Sequence, residues 1–427
     1  RYNTSVAGGS DLMQYYMGAN LSDEEGAIPT SRNTTGGFRG NFTFRPTAKL
    51  ELGLNSSYQR GKIQWVPDGN LANGFLLNVG RGFAGNFRGG GCAPGITNCM
   101  ANINTLLTQT FTRSDHYISG LSVNYSPIEY WTNRLSVGLD YNGNENRSLI
   151  PYGHPRSPLG SLSQRDYIRR FLSVDYASTL RKEVGAAWIS NTSFGGQLFQ
   201  DVVNDKAVNA DDFAGPGEPT ITSAARRTVG TDTRRKVVNA GLFAQEQLSW
   251  RDRAFLTLGV RVDGNSAFGE DFGLQTYPKV GLAYVLSDHD FWPKSIETFK
   301  VRGAIGESGK APGAFDAVRT WNPIAGDDAK PGFTPLQLGN PTLGPERTRE
   351  LEFGVESSAL AGRFAVDLTY FNTTTSDALI QVRYPPSQGF LNRQLENVGE
   401  IKNRGIELKF DAGIIRSENV DWRGRIN

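Results

Sequence analysis

From Thr47 to Gly61 the chain reads TAKLELGLNSSYQRG, with Leu50, Leu52, Leu54 and Tyr58 on one parity and Lys49, Glu51, Gly53, Asn55 and Ser57 on the other. Period-two alternation predicts an extended strand with one apolar and one polar face. The run is about twice as long as the five or six residues of a usual globular strand. Such runs recur in pairs. Phe38–Arg45 and Ala48–Tyr58 flank Arg45-Pro46-Thr47, Tyr117–Tyr125 and Leu135–Tyr141 flank SPIEYWTN, and Arg169–Leu180 and Val184–Phe194 flank RKE. Val238–Trp250 and Ala254–Val262 flank RDR, and Pro278–Leu286 pairs with Lys300–Ile305 through SDHDFWPKSIETF. Glu350–Val355 pairs with Phe364–Tyr370, and Gly405–Phe410 leads into a last alternating run at Val420–Asn427. With a first hairpin at Gly8-Gly9-Ser10, the pattern predicts about sixteen antiparallel strands.

The segments between these hairpins are long, near 61–115, 143–167, 201–236, 306–347 and 372–403, and rich in Gly, Pro, Asn and Asp. Several exceed the roughly 12–15 residues beyond which structureless loops are uncommon in compact domains. Short turns thus alternate with long loops. An outer-membrane barrel sorts its connections this way, with short turns in the periplasm and long loops outside. A tilted strand of about 9–11 residues crosses the hydrocarbon, and only a closed barrel satisfies strand backbones there. The leucine parity then faces lipid, while Lys49, Glu51 and Asn55 face a wet lumen. Tyr58, Tyr125, Tyr141, Trp250 and Tyr370 fall where an interfacial aromatic girdle belongs. The rival architecture is a large soluble β-sandwich or β-helix with a leucine-lined core.

Composition agrees with the barrel. The 427 residues include 50 Gly, 24 Phe and 15 Tyr, a β-rich and turn-rich profile. A mean hydropathy of -0.41 ordinarily marks a soluble protein, but a barrel averages lipid-facing against lumen-facing positions. No run reaches the roughly 18 apolar residues of a transmembrane helix. The net charge of +2 gives no global attraction to nucleic acid. Cys92 and Cys99 lie in GGGCAPGITNC, a spacing that suits a small disulfide-closed loop, with two unpaired thiols as the alternative. Arg1 is no initiator, and both ends fall inside strand patterns, so the chain is expected to be an internal piece of a longer product.

Several segments resemble a known family. LGNPTLGPERTRELEFGVE (Leu338–Glu356) resembles the segment that enters a barrel strand in TonB-dependent outer-membrane transporters, through Asn340, Pro341, Leu343, Pro345 and Glu346. The SusC/RagA branch is resembled by Gly241–Gly269, by KVRGAIGESGKAPGAFDA (Lys300–Ala317), by ENVGEIKNRGIEL (Glu396–Leu408) and by Ser5–Gly26. The resemblance implies an all-β antiparallel transmembrane barrel of about 22 strands around an N-terminal plug. Residues 1–427 would supply a single receptor-like barrel domain, about sixteen strands of it, without plug, TonB box or last strands. It further implies residence in the bacterial outer membrane, contact with its lipid and energy from TonB through an N-terminal segment. A SusD-like surface lipoprotein would close over the mouth and capture an oligosaccharide or peptide.

Other motifs carry less. GAIGESGKAPG fails as a phosphate-binding loop, since Ala304 and Ala311 stand where glycine and a hydroxyl residue are required. Glu346, Glu350 and Glu352 against Arg347 and Arg349 form either a lumen-side charge lattice or a solvated strand end. The pairs Glu24-Glu25, Asp211-Asp212, Glu270-Asp271 and Asp327-Asp328 lack the spacing of a calcium loop. With His116, His154 and His289 dispersed, no catalytic or zinc constellation is expected, no cofactor, and no enzyme. Loop aromatics are the substrate candidates: Trp65, Phe75, Phe83, Phe87, Trp321 and Phe333 offer faces to sugar rings or apolar side chains, against the alternative that they hold their own loops together. The expected function is TonB-linked import of a specific nutrient. The alternatives are a passive porin and a soluble β-rich binding protein or adhesin.

Overall fold

The computed structural model describes residues 1–69, 74–81, 102–217, 219–269, 273–417 and 420–427, with Asn102, Ala329 and Arg416 described by backbone only. In chain order the strands are β1 (Tyr2–Gly9), β2 (Met13–Glu25), β3 (Arg32–Thr47), β4 (Leu50–Trp65), β5 (Gln109–Ile128), β6 (Trp131–Ile150) and β7 (Ser161–Val184). They continue as β8 (Trp188–Phe213), β9 (Ala224–Trp250), β10 (Ala254–Asn265), β11 (Gln275–Val285), β12 (Ile296–Lys310), β13 (Thr320–Ala325) and β14 (Pro331–Gln337). The last six are β15 (Glu346–Ala359), β16 (Phe364–Ser376), β17 (Leu379–Val382), β18 (Gln394–Asn397), β19 (Glu400–Arg416) and β20 (Asp421–Ile426). Helices α1 (Phe75–Arg81) and α2 (Asn102–Leu106) lie between β4 and β5.

One sheet joins sixteen strands in the order β1 to β12, β15, β16, β19, β20, while β13–β14 and β17–β18 are separate hairpins. Each neighbour in the main sheet is next in sequence once those hairpins are set aside. Tight connections (10–12, 48–49, 129–130, 185–187, 251–253, 360–363) and the longer 286–295 alternate with the others, of which 26–31 is short and the longest are 66–108, 311–345 and 377–399. In an antiparallel meander every second connection leaves from the same strand end, so the sorting expected from sequence is present. At Arg251 and Asp252 the backbone is left-handed at two successive positions (φ 51° and 55°), the twist a tight hairpin needs.

Three details differ from the sequence reading. The third hairpin turns at 185–187 rather than at RKE, because β7 runs through Arg181 and Lys182 to Val184. The segments 143–167 and 201–236 are largely strand, leaving connections of 151–160 and 214–223. Their charged, non-alternating sequence hides the continuation, since no single face is apolar there. Among its described residues, the segment after β4 contains two short helices.

The chain forms two compact units. Unit 1 comprises residues 1–124, 136–174 and 200–236. In it Phe44, Phe42 and Phe38 of β3 stand opposite Leu52, Leu54 and Tyr58 of β4, and Met13, Tyr15 and Ala19 of β2 continue the rows. These side chains are exposed or half-buried, although they are apolar. The small buried core lies elsewhere, toward the far ends of β6–β9: Leu149, Leu162, Ala210, Phe213 and Ala224, with Ile221 against it.

Unit 2 comprises residues 125–135, 175–199 and 237–427. Its registers align Leu248, Leu256, Leu282, Gly303, Phe353, Tyr370 and Ile406 across seven strands. Leu282 is 59% exposed, Phe353 64% and Ile406 71%. Beside this row an apolar groove of about 600 Å³ runs over Gly303, walled by Trp188, Leu248, Leu256, Val280 and Ile305. Trp188 and Trp250 meet at 6.4 Å between ring centres near the tight-turn end. In each unit the apolar parity is the uncovered one, contrary to a leucine-lined soluble core.

Candidate functional site

The opposite parity carries the polar chemistry. In unit 1 Arg39, Asn41, Asn55, Ser57, Asp140 and Ser173 line a cleft of about 360 Å³. His116 Nε2 lies 2.9 Å from Asp140 Oδ1. Arg165 and Arg169 make two-pronged ion pairs with Asp205 and Asp201, with contacts of 2.6–3.2 Å. Glu51 accepts from Arg45 and Asn124. Trp65, at the far end of β4, shares this parity with Glu51 and Asn55. Its Nε1–H donates to Thr112 Oγ1 (3.2 Å), whose hydroxyl donates to Asn146 Oδ1 (2.7 Å). The indole is pinned by its polar edge and half exposed, an arrangement suited to presenting an aromatic face.

Unit 2 repeats the pattern. Arg302 Nη2 reaches Asp367 (2.8 Å) and Thr369 (2.7 Å), and Glu356 lies against both Arg302 and Lys300. Arg261 bonds Asp263 and Gln197, and Gln197 donates to Asp175. The lattice expected around Glu346–Glu352 is divided by parity, which is the physical reason it does not form as one body. Arg347 and Arg349 pair with Glu307, while Glu346 pairs with Lys310 and accepts from the Leu379 N–H.

The family-like segment around Asn340 is a latch between loops. Asn340 Oδ1 accepts from the Thr342 N–H and closes a local turn, and its amide donates to Glu396 Oε2 (3.0 Å). Gly344 N–H donates to Asn397 Oδ1 (2.7 Å), and the Asn397 amide returns bonds to the Gly344 and Asp377 carbonyls. Buried Gln394 accepts from the Leu338 and Gly339 N–H groups. Leu343 and Pro345 are buried, Pro341 is exposed, and Gly269 donates to the Leu343 carbonyl. A Cβ on Gly269 would lie 2.1 Å from the Pro341 oxygen, so glycine is required for that approach. Tyr384 donates to Glu396, and the bound carboxylate pushes the phenol above its ordinary value. Gln394, Glu396 and Asn397 escaped the sequence reading. Glu396 and Asn397 had one signal, their place at the start of the family-like Glu396–Leu408 segment, and Gln394 had none.

The hairpin β13–β14 sets Trp321 opposite Pro335 and Pro323 opposite Phe333, so all four share one face. Phe333 is 70% exposed and Trp321 49%. Trp321 lies 5.7 Å from the ring of buried Phe390, over which Arg319 is also placed. The structure therefore joins Trp321 and Phe333 on one platform. Phe75 is half-buried at the start of α1, where its N–H donates to the Pro67 carbonyl. Phe83, Phe87, Cys92 and Cys99 lie outside the described residues. His154 is buried in the 151–160 connection, with Nε2 on the Asn104 carbonyl (3.1 Å) and Nδ1 accepting from the Arg156 N–H (3.2 Å). Burial holds it below its ordinary value. Of the acid pairs, Glu24 is held by Arg1 and Asp212 by Arg226.

The family described as "TonB dependent receptor-like, beta-barrel" matches residues 66–427. The chain belongs to this family. TonB-dependent receptor P26 of Formosa agariphila is 27% identical over 99% of this chain and 44% of its own length. TonB-dependent receptor SusC of Bacteroides thetaiotaomicron is 21% identical over 99% of this chain and 45% of its own. The solved structure of the RagAB peptide transporter superposes with a TM-score of 0.85 at 18% identity, covering 99% of this chain and 49% of that one. The ferripyoverdine receptor of Pseudomonas aeruginosa gives 0.60 at 14% identity, covering 97% and 52%. The chain thus spans less than half the length of these curated relatives. The sheet of this family member is a stretch of antiparallel β-barrel wall in the bacterial outer membrane, and its likeness to SusC and to RagAB is one of sequence and of fold. The exposed apolar parity is its lipid face, and the polar parity is its lumen face.

Proposed function

We propose that residues 1–427 are one receptor-like barrel domain, incomplete in itself, of a TonB-linked importer for a specific oligosaccharide or peptide. One observation carries the reading: the strand ends opposite the tight turns bear rigidly held, exposed aromatic residues, while the wall below them is polar on its lumen parity. Trp321 and Phe333, on a proline-stiffened face, are the leading substrate contacts in one unit, and Trp65 is the leading contact in the other. The Asn340–Glu396 and Gly344–Asn397 bonds keep the platform's loop in place. A surface lipoprotein of SusD type is the proposed capture partner, and TonB the energy source. The fold likeness to the RagAB peptide transporter and the sequence likeness to TonB-dependent receptor SusC support this class of cargo and machinery. Family membership favours the energised receptor over the passive channel.

The test is uptake by the full-length receptor in a host lacking its own copy, with labelled peptides and oligosaccharides supplied at limiting concentration. Uptake of one class should require TonB. Trp321→Ala, Phe333→Ala or Trp65→Ala should weaken that cargo's binding, the strongest of them roughly tenfold. Uptake undiminished without TonB would return the passive porin.

A further inference from the structure

We infer that the lipid face of unit 1 carries, just beyond its outer aromatic row, a binding site for the phosphate-bearing head group of an outer-leaflet lipid, built from Lys62, Arg113 and Arg147. The site follows from strand parity. On β5 the positions Leu121, Ser119, Tyr117, Asp115, Arg113 and Phe111 share one face, and Leu121 belongs to the exposed apolar belt. On β4 the same face carries Leu54, Ser56, Tyr58 and then Lys62. On β6 it carries Leu139, Tyr141, Glu145 and Arg147. Cross-strand contacts agree: Ser56 donates to the Tyr117 hydroxyl, Tyr58 donates to Asp115, and Arg113 donates to Glu145.

Tyr58, packed against Phe38, forms with Tyr117 and Tyr141 the aromatic row that ends the hydrocarbon belt. Arg113 lies four residues past Tyr117 toward the long 66–108 connection, about 10 Å farther out for a tilted strand. That is the depth of the head groups, which add several ångströms beyond the hydrocarbon on each side.

Three cations converge there on one buried ring. The Phe111 centroid lies 5.0 Å from Lys62 Nζ, 4.6 Å from Arg113 Cζ and 5.9 Å from Arg147 Cζ. At such spacing the three charges repel, because they lie within about one Debye length of each other. Glu145 offsets one of them at 3.2 Å from Arg113, Asp115 offsets Arg60 on the same face, Arg147 spends one donor on the Pro219 carbonyl, and Lys62 takes no carboxylate among the described residues. A surplus of positive charge beside an aromatic belt matches a lipid that is apolar below and carries phosphate above. Phosphate oxygens accept from guanidinium pairs in two-pronged geometry. An acidic protein partner would explain the charge but not its position directly over the belt.

The test uses the full-length receptor in detergent and two probes, diphosphoryl lipid A and its dephosphorylated form, with binding followed by native mass spectrometry. The phosphorylated lipid should bind more tightly, and the preference should fade with salt. The triple variant Lys62→Gln, Arg113→Gln, Arg147→Gln should lose roughly a hundredfold in affinity for it. Lys62→Gln alone breaks no ion pair, so folding is preserved, and it should lose about fivefold. Arg165→Gln, on the lumen face, should lose nothing. Equal binding of both probes, or unchanged binding by the Lys62→Gln variant, overturns the proposal. Competition by inorganic phosphate at the same concentration would assign the cations to free anions and overturn the lipid site.

Discussion

On the lipid parity of β9, between Ala244 and Leu248, stands the carboxylate of Glu246, opposite Leu258 of β10. Ser190 and Thr192 of β8 each donate to it at 2.5 Å. Alternation alone would have assigned a glutamate to the lumen, and the two hydroxyl donors explain how the belt tolerates it. Glu246→Leu should therefore insert normally and gain about 1–2 kcal/mol in urea unfolding, whereas Thr192→Ala beside an intact Glu246 should lose about 1–2 kcal/mol. Loss of stability in Glu246→Leu would mean that this parity does not face lipid. The complementary substitution uses neighbours: Leu256→Arg should cost about 2–4 kcal/mol if it nears the midplane, and Thr257→Arg, one residue on and facing the lumen, much less. Residue chemistry of this kind was half legible. Leu256 announces its face through period two, but nothing near Glu246 in sequence names Ser190 or Thr192.

Among the elements, the latch between the Asn340 loop and the β17–β18 hairpin is where two family-like segments, separate in sequence, become one piece. Gly344 and Asn397 exchange bonds in both directions, at 2.7 and 3.0 Å. Asn397→Ala should leave barrel unfolding nearly unchanged and raise limited proteolysis within 311–345 and 377–399, since the N–H and carbonyl of buried Gly344 both lose this partner. Protection equal to the parent would show that the loops hold independently. The 151–160 connection has a different control. His154 must be neutral for Nδ1 to accept from the Arg156 N–H, and burial lowers its affinity for protons. The unfolded loop takes up that proton near about pH 6.5 and the folded loop only at lower pH. Protection is thus full above about 6.5 and declines as pH falls through it. Hydrogen exchange of 151–160, corrected for intrinsic rate, should show weaker protection at pH 5.5 than at 7.5; equal protection would remove the histidine from the account. None of this was visible beforehand, because a capping partner fifty residues away leaves no periodicity.

For the molecule as a whole, the arrangement of apolar surface decides the solvent. Rows such as Leu248-Leu256-Leu282-Phe353-Ile406 are uncovered, and the only cluster of buried apolar residues in unit 1 among the described residues lies toward the ends of β6–β9. The protein should accordingly partition into detergent and stay monodisperse only with it; a stable detergent-free monomer would refute the lipid face. The strands of the main sheet, their hairpin pairing and the places of the three longest connections were determined by the sequence itself, because period-two alternation and turn residues act over a few neighbouring positions. Where each long strand ended, which loop aromatics shared a platform, and which polar groups tied one loop to another were decided only by the tertiary structure. Those outcomes depend on partners brought together from distant sequence, and a local pattern holds no record of them.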